Sequence, residues 1–122
     1  MYLITPFTTV ARALSGPLHK VISRRLPHME RAEIDEWIDK HCGTVHTFQG
    51  KEAAEVILIL GCDAQSGRSA AQWVGQKPNI VNVAVSRAKY RLGVIGDYDL
   101  WKNIPYVQKI CSNLEKVTYS IF

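Results

Sequence analysis

The fold of this chain is decided by GTVHTFQGKE at residues 43–52 and by the apolar run VILIL that follows it at residues 56–60. The arrangement occurs a second time, with NIVNVAVSRAK at residues 79–89 and LGVI at residues 92–95. Each apolar run is followed by a glycine and, within two further residues, an aspartate. A polar turn, an apolar strand, a helix and another apolar strand are typical of an α/β nucleotide-binding domain.

The size and composition of the chain favour a single globular domain. Its 122 residues are enough for a hydrophobic core without disulfides, and its 47% apolar and 21% charged residues are ordinary for a soluble protein. The net charge of +4 is compatible with a phosphate-rich partner, but a charge this small is equally typical of a solvated surface.

The cysteines and the hydropathy pattern bear on the compartment. Cys42, Cys62 and Cys111 are odd in number and not closely spaced, which argues against a disulfide framework or a zinc site. Free thiols are typical of a reducing compartment. The start MYLITPF has no basic region, and no run of about 18 apolar residues occurs. We therefore expect a cytoplasmic protein without a membrane segment.

The first third of the chain predicts one strand and helices. Residues 2–5 form a β-rich run that Pro6 stops, and a strand so close to the first residue indicates a domain truncated at its N-terminal side, with a bare sheet edge. Apolar residues at helical spacing follow, and Ser15-Gly16-Pro17 predicts a kink, or two helices with Ser15 capping the second. Residues 29–40 predict an amphipathic helix whose inward residues are Ile34, Trp37 and Ile38.

The remaining chain predicts alternating strands and helices. A short strand is expected at residues 44–46, a turn at 48–52, and a strand buried on both faces at 56–60. Residues 61–78 predict a long loop with at most a turn of helix, on which Arg68, Trp73 and Lys77 are candidates for stacking and charge contacts with a nucleic acid. The later elements are a helix at 79–89 that is buried except for a seam of Asn82, Ser86 and Lys89, an interior strand at 92–95, and a helix from 97 to about 116 that is bent or restarted near Pro105.

Arg87 allows two interpretations from the residues alone. On a helix it lies one turn from Val83 and Ala84, where an unpaired charge would be costly. It either forms a structural ion pair with a carboxylate such as Glu52 or Asp97, or remains ready for an incoming anion, for which the guanidinium fork suits a phosphate.

Glu52 also allows two interpretations. It is either a solvated carboxylate in a turn or an acceptor for two adjacent hydroxyls of a ribose. Gly50 permits backbone conformations closed to other residues, so the turn is able to bring Gln49 and Glu52 to one side. His46 taken alone is more typical of an ordinary strand histidine than of a catalyst.

The two stretches resemble known motifs. GTVHTFQGKEA followed by VILILG resembles motif V of superfamily 1 helicases, and NVAVSRAKYRLGVIGD resembles motif VI. Their form is similar to the branch containing the nonsense-mediated-decay and Okazaki-fragment-processing helicases, and LITPF resembles the strand before motif V in that branch. The turn after ITPF departs from the pattern, because Thr8, Thr9 and Val10 stand where a basic residue and a glutamine are frequent.

The resemblance implies a fold and a set of roles. The fold is an α/β, RecA-like three-layer domain with a mostly parallel central sheet flanked by helices. Such a domain closes over ATP that is bound mainly by a first motor domain, and it moves along a single strand. By position, the implied roles are an arginine finger for Arg87, nucleotide binding by Gln49, Gly50, Glu52 and Arg87, nucleic-acid binding by Thr44 and His46, and support between the motifs by Asn82 and Ser86.

The chain contains no G-x-x-x-x-G-K-[ST] sequence and no Walker B run leading to Asp-Glu. We therefore expect residues 1–122 to be a single second motor domain with the first motor domain absent, and inactive as an ATPase alone. ATP and Mg²⁺ would act in the complete enzyme, with none bound tightly by this chain. The expected partners are single-stranded DNA or RNA, the N-terminal motor domain, and a second copy through a bare sheet edge. A stand-alone nucleic-acid-binding or partner-docking module remains the alternative, although the spacing of Glu52 and Arg87 favours the helicase.

Overall fold

The protein contains one parallel sheet with helices on both faces, as seen in a computed structural model that describes residues 1–61 and 68–115, without the side chains of Arg68 and Pro78. The strands are β1 (Tyr2–Thr5), β2 (Cys42–Thr44), β3 (Ala53–Gly61) and β4 (Ala88–Gly96), in the sheet order β2-β1-β3-β4. The helices are α1 (Thr8–Arg25), α2 (Arg31–His41), α3 (Arg68–Gly75), α4 (Pro78–Ser86), α5 (Tyr98–Trp101) and α6 (Val107–Asn113). The predicted α/β class with a parallel, helix-flanked sheet is confirmed.

β1 lies inside the sheet rather than at a bare edge. It pairs with β2 through Leu3 and Cys42, and with β3 through Leu3 and Ile57. Leu3 is 6% exposed and Ile4 is fully buried, so other residues cover both faces of this short strand. β1 is therefore an interior strand, and the outer strands among those described are β2 and β4.

The main core lies on one face of the sheet. Ile4, Val56 and Leu58 point to this face because their positions in β1 and β3 are in register. The rest of the cluster comes from β3, from the segment between β2 and β3, from the helices α3 to α6 and from the segment between α5 and α6. It comprises Val45, Phe48, Leu60, Ala71, Val74, Val81, Ala84, Leu100, Trp101, Ile104 and Val107.

The opposite face is covered only in part by the described helices. Leu3 is buried on the side where α2 contributes Ile34 and Ile38, which are 1% and 5% exposed. Farther along the sheet, Ile59 is half-buried and its β4 neighbour Ile95 is 58% exposed.

Two burial predictions for the strands therefore need correction. The strand predicted at residues 56–60 is confirmed, but its residues alternate between fully buried and half-buried. The strand predicted at 92–95 is confirmed as well, yet β4 is an outer strand of the described sheet and not an interior one. A continuous apolar run predicts a strand but does not say which helices cover it.

α1 is one continuous helix, so the alternative of two helices with a Ser15 cap is wrong, and the alternative of a single helix that contains Pro17 applies. Its N-cap is Phe7, and Pro17 lies inside it. Pro17 and Ala13, whose carbonyl loses a helical partner, are both exposed, so water can hydrogen-bond to that carbonyl. None of the side chains of α1 is fully buried in the described structure.

The other helices follow the sequence more closely. The predicted inward residues of α2 are confirmed for Ile34 and Ile38, while Trp37 is half-buried and stacks on His41 with ring centroids 4.5 Å apart. The C-terminal helix restarts around Pro105 as predicted, giving α5 and α6. Residues 116–122 lie outside the described chain.

Two helices between β3 and β4 differ from expectation. α3 occupies residues predicted mainly as loop, because Ala71 and Val74 are fully buried and hold it against the core. α4 ends at Ser86, so Lys89 belongs to β4, and the helix keeps only Asn82 and Ser86 as exposed polar positions toward its end.

Among the described helices, none combines the length and the apolar character needed to cross a membrane. Cys42 and Cys111 are free thiols, and Cys62 lies outside the described residues.

Leu58→Ala should lower the free energy of unfolding by about 2–5 kcal/mol, because it leaves a cavity in the middle of the main core. Ile95→Ala, on the partly covered face, should cost about 0.5 kcal/mol or less. Urea denaturation followed by circular dichroism measures both values. Equal costs for the two variants would contradict the one-sided core.

Candidate functional site

The predicted site residues lie at two opposite edges of the sheet. In a parallel sheet all strands begin on one side, called here the amino edge, and end on the opposite side, called here the carboxyl edge. Residues 44–52 pass from the carboxyl edge to the amino edge. Thr44 ends β2 at the carboxyl edge, and Glu52 precedes Ala53, the first residue of β3, at the amino edge. One short connection therefore contacts both edges.

Phe48 holds this connection in place. Its side chain is fully buried and its ring stacks on Tyr2, with centroids 4.4 Å apart and planes inclined by 29°. Main-chain hydrogen bonds shape the backbone around it, from the Thr47 N–H to the Thr44 carbonyl at 3.0 Å and from the Lys51 N–H to the Phe48 carbonyl at 2.9 Å. The segment is thus a packed part of the core.

The side chains around Phe48 point to solvent. His46, Gln49 and Glu52 are all exposed. Gly50 has φ 79°, in the left-handed region, and a Cβ added there would meet no atom within 4 Å. The turn therefore depends on the backbone freedom of this glycine, and it leaves Gln49 and Glu52 open to a ligand.

Arg87 lies beside this turn at the amino edge. It caps the end of α4, where its N–H donates to the Ala84 carbonyl at 3.3 Å. Its own carbonyl accepts a hydrogen bond from the Ala53 N–H at 2.9 Å. Since Ala53 follows Glu52, this main-chain bond brings the two predicted nucleotide-binding stretches together.

The Arg87 guanidinium is incompletely paired. Its Nη2 donates to the Ser86 Oγ at 3.1 Å, and the Ser86 Oγ donates in turn to the Val83 carbonyl at 3.0 Å. Its Nε is buried without a hydrogen-bond partner among the described residues. The ion pairs within the described chain do not include Arg87, so neither Glu52 nor Asp97 neutralises it there.

The support residues contribute locally. Ser86 orients the Arg87 guanidinium, and Asn82 is exposed one turn earlier on α4. In the described contacts, the link between the two stretches is made by the main chain of Arg87 and Ala53.

At the carboxyl edge, a groove of about 470 Å³ separates α1 from β2. Thr44 lines it, and His46 is exposed two residues farther along the chain. The other lining residues are Thr8, Ala11, Arg12, Ser15, Ile38, Asp39, Cys42, Gly43 and Thr47. The hydroxyls of Thr8, Ser15, Thr44 and Thr47 and the Arg12 guanidinium provide hydrogen-bond donors in this groove, and Asp39 adds one carboxylate.

Sequence reasoning missed the α1 contribution to this groove. The prediction for this helix used only its apolar residues, which define the inner face. Thr8, Arg12 and Ser15 also recur at the spacing of one helical face. Their position directly after β1 puts that face at the carboxyl edge, which is the signal that would have found them.

The groove is suited to binding rather than to nucleophilic chemistry. Burial raises the pKa of the Cys42 thiol to about 11, so this thiol stays neutral at neutral pH. Among the described residues, no three His, Cys, Asp or Glu side chains cluster in a way that would hold a metal ion.

A second groove, of about 650 Å³, lies between α3 and α5. Gln72, Gln76, Asp99 and Asn103 are its polar lining. None of the residues predicted from the sequence as site residues lines it.

Gly50→Ala should lower the free energy of unfolding by about 1–2 kcal/mol, because alanine is strained in the left-handed conformation. Gly50→Asn should cost less, since asparagine tolerates that region. Lys51→Ala, at the neighbouring exposed position, serves as the control and should be near neutral. Unfolding in urea gives all three values, and an alanine variant as stable as the wild type would refute the strained turn.

The sequence matches the AAA domain family over residues 2–99, a domain found in the C-terminal regions of superfamily 1 helicases. The match includes both stretches and every predicted site residue. A comparison with curated proteins found no match, and a comparison with solved structures found none.

Proposed function

The chain belongs to the AAA domain family, and from that premise we propose that it is the C-terminal motor domain of an ATP-dependent superfamily 1 helicase. The family membership supports a helicase-type ATPase domain in general. The observation that supports the specific role is Arg87, whose guanidinium has a buried donor without a partner in the described chain and whose main chain is hydrogen-bonded to Ala53, next to Glu52.

The residues at the amino edge fit a nucleotide. A buried donor without a partner costs about 1–3 kcal/mol, and a phosphate oxygen is an acceptor that removes this cost. The planar fork of Arg87 suits a phosphate, and Glu52 lies on the segment that the Ala53 hydrogen bond fixes beside it. Arg87 would meet the transferred phosphate when the first motor domain closes, and Glu52 would hold the ribose hydroxyls, while Gln49 and Gly50 shape the turn.

Bound ATP with Mg²⁺ would supply the energy of phosphoryl transfer when a first motor domain closes on this edge. The contribution of this chain is electrostatic, because Arg87 stabilises charge that develops on the transferred phosphoryl group. The Ser86 hydroxyl holds the guanidinium in orientation before closure.

At the carboxyl edge we assign the groove to the backbone of a single strand. Hydroxyl and arginine side chains are typical phosphate contacts, and they fix the position of the strand without selecting its sequence. Thr44 belongs to the groove and His46 lies on the connection that leaves it. Residues 44–52 contact both edges and are packed into the core through Phe48. They would therefore couple closure of the two motor domains over the nucleotide to the bound nucleic-acid strand.

The form of the two stretches favours the branch of the nonsense-mediated-decay and Okazaki-fragment-processing helicases. A stand-alone nucleic-acid-binding module is the competing function, and it uses the carboxyl edge without the amino edge. Kinetics of the two-domain enzyme and single-strand binding by the isolated chain separate the two functions.

In the two-domain enzyme, Arg87→Ala should reduce the strand-stimulated ATPase rate by roughly 10³ to 10⁵ while ATP affinity changes little, because an arginine finger acts in the transition state. Arg87→Lys should restore little activity, since an ammonium lacks the planar fork. Glu52→Ala should mainly raise KM for ATP. Steady-state kinetics at saturating single strand measure these effects.

Arg91→Ala is the matched control, because this arginine forms an exposed ion pair with Glu55 at 3.2 Å and should leave turnover unchanged. An Arg87→Ala enzyme with normal turnover and lowered stability would assign Arg87 a structural role instead.

The isolated chain should bind single strands weakly and with strong salt dependence, since it provides half of the binding track. The logarithm of affinity should fall against the logarithm of salt concentration with a slope of about −0.7 for each phosphate contacted. Fluorescence anisotropy with labelled oligothymidylate and oligouridylate measures the slope. Submicromolar binding that is insensitive to salt would favour the stand-alone module.

A further inference from the structure

We infer that Trp73, together with Phe7 and Lys77, is a stacking platform for a base of a single-stranded nucleic acid whose backbone occupies the groove at the carboxyl edge. This inference rests on the proposed function, because it takes the groove to bind a strand.

Trp73 is a large exposed ring on a firm support. It is 44% exposed, whereas its α3 neighbours Ala71 and Val74 are fully buried in the main core. A single exposed apolar side chain needs no explanation by itself. The role of Trp73 is therefore inferred from the side chains that surround its ring.

Two side chains surround the Trp73 ring. The half-buried Phe7 ring lies 6.3 Å away between centroids, with planes inclined by 36°. The Lys77 Nζ lies 5.9 Å from the centroid of the Trp73 ring, within the range of a cation–π contact. An exposed indole with an adjacent ring and ammonium group matches the chemistry of a nucleotide, which has an aromatic base and an anionic phosphate.

Phe7 connects this platform to the groove. Its N–H donates to the Thr5 Oγ1 at 3.3 Å, and Thr5 is fully buried at the end of β1. The next residue, Thr8, lines the groove. The ring pair is therefore fixed beside the hydroxyl and arginine side chains of the groove.

The occupant is single-stranded because a stacked base must be accessible on its face. In a duplex, neighbouring base pairs cover that face, whereas an extended strand exposes it. Lys77 has a flexible stem, so its ammonium can leave the ring and contact a phosphate when a base stacks. Since every base has an aromatic face, this contact adds affinity without selecting sequence.

The test uses the full chain and a labelled oligothymidylate of about 12 nucleotides, within the site sizes of single-strand-binding proteins. At low salt, Trp73→Ala should weaken binding roughly tenfold, the loss typical of one stacked base. Trp73→Phe should restore affinity to within about threefold of the wild type, because a phenyl ring still stacks. Lys77→Ala should weaken binding and reduce the salt slope by about 0.7.

Tryptophan fluorescence distinguishes direct stacking from a structural effect. Wild-type emission should be quenched by the oligonucleotide, and the quenching should disappear in Trp73→Phe although that variant still binds. Tyr90→Ala is the matched control, because Tyr90 is an aromatic ring on β4 that is 82% exposed and should not affect binding.

The outcomes separate this platform from the function on which it rests. A folded Trp73→Ala variant that binds like the wild type, while Arg12→Ala in the groove weakens binding, would overturn the platform alone. A wild-type chain that binds no single strand at low salt would overturn both. A Trp73 effect in a protein whose ATPase does not depend on Arg87 would support the platform and refute the motor role.

Discussion

The burial of Phe48 against Tyr2 is the contact on which the arrangement of both edges depends. The connection between β2 and β3 must cross from the carboxyl edge to the amino edge, and it does so without a helix. A connection of this kind would be mobile if it lay only on the surface. Because Phe48 is fully buried and its ring stacks on β1, the exposed residues on either side of it have fixed positions.

The same connection holds the main chain of Arg87 but leaves a donor of its side chain without a partner in the described chain. The Ala53 N–H, at the end of the connection, donates to the Arg87 carbonyl and fixes the main chain, while the side chain keeps a buried donor without a partner in the described chain. Such a donor is unfavourable for folding. Under the proposed function, a phosphate of the nucleotide would supply the acceptor.

The helices on the two faces of the sheet have different functions in this architecture. The helices after β3 and β4 form the main core and give the strands their stability. α1 has no fully buried side chain in the described structure, yet it provides one wall of the carboxyl-edge groove and the ring of its N-cap residue Phe7. α1 therefore contributes more to the wall of the groove than to the main core.

The sequence by itself determined the strands, most of the helices and the two polar stretches, because apolar runs, helical spacing and turn residues act locally. It also predicted a turn at Gly50 and a helix at residues 79–89 that includes Arg87, although α4 ends one residue before Arg87. It could not decide that β1 is an interior strand and β4 an outer one, or that α1 continues through Pro17. Those outcomes depend on which surfaces are covered by residues distant in sequence and which remain accessible to water. The tertiary structure alone brought Ala53 to Arg87, left the Arg87 Nε without a described partner, and placed Trp73 beside Phe7, since each of these contacts joins segments that only the packing of the sheet brings together.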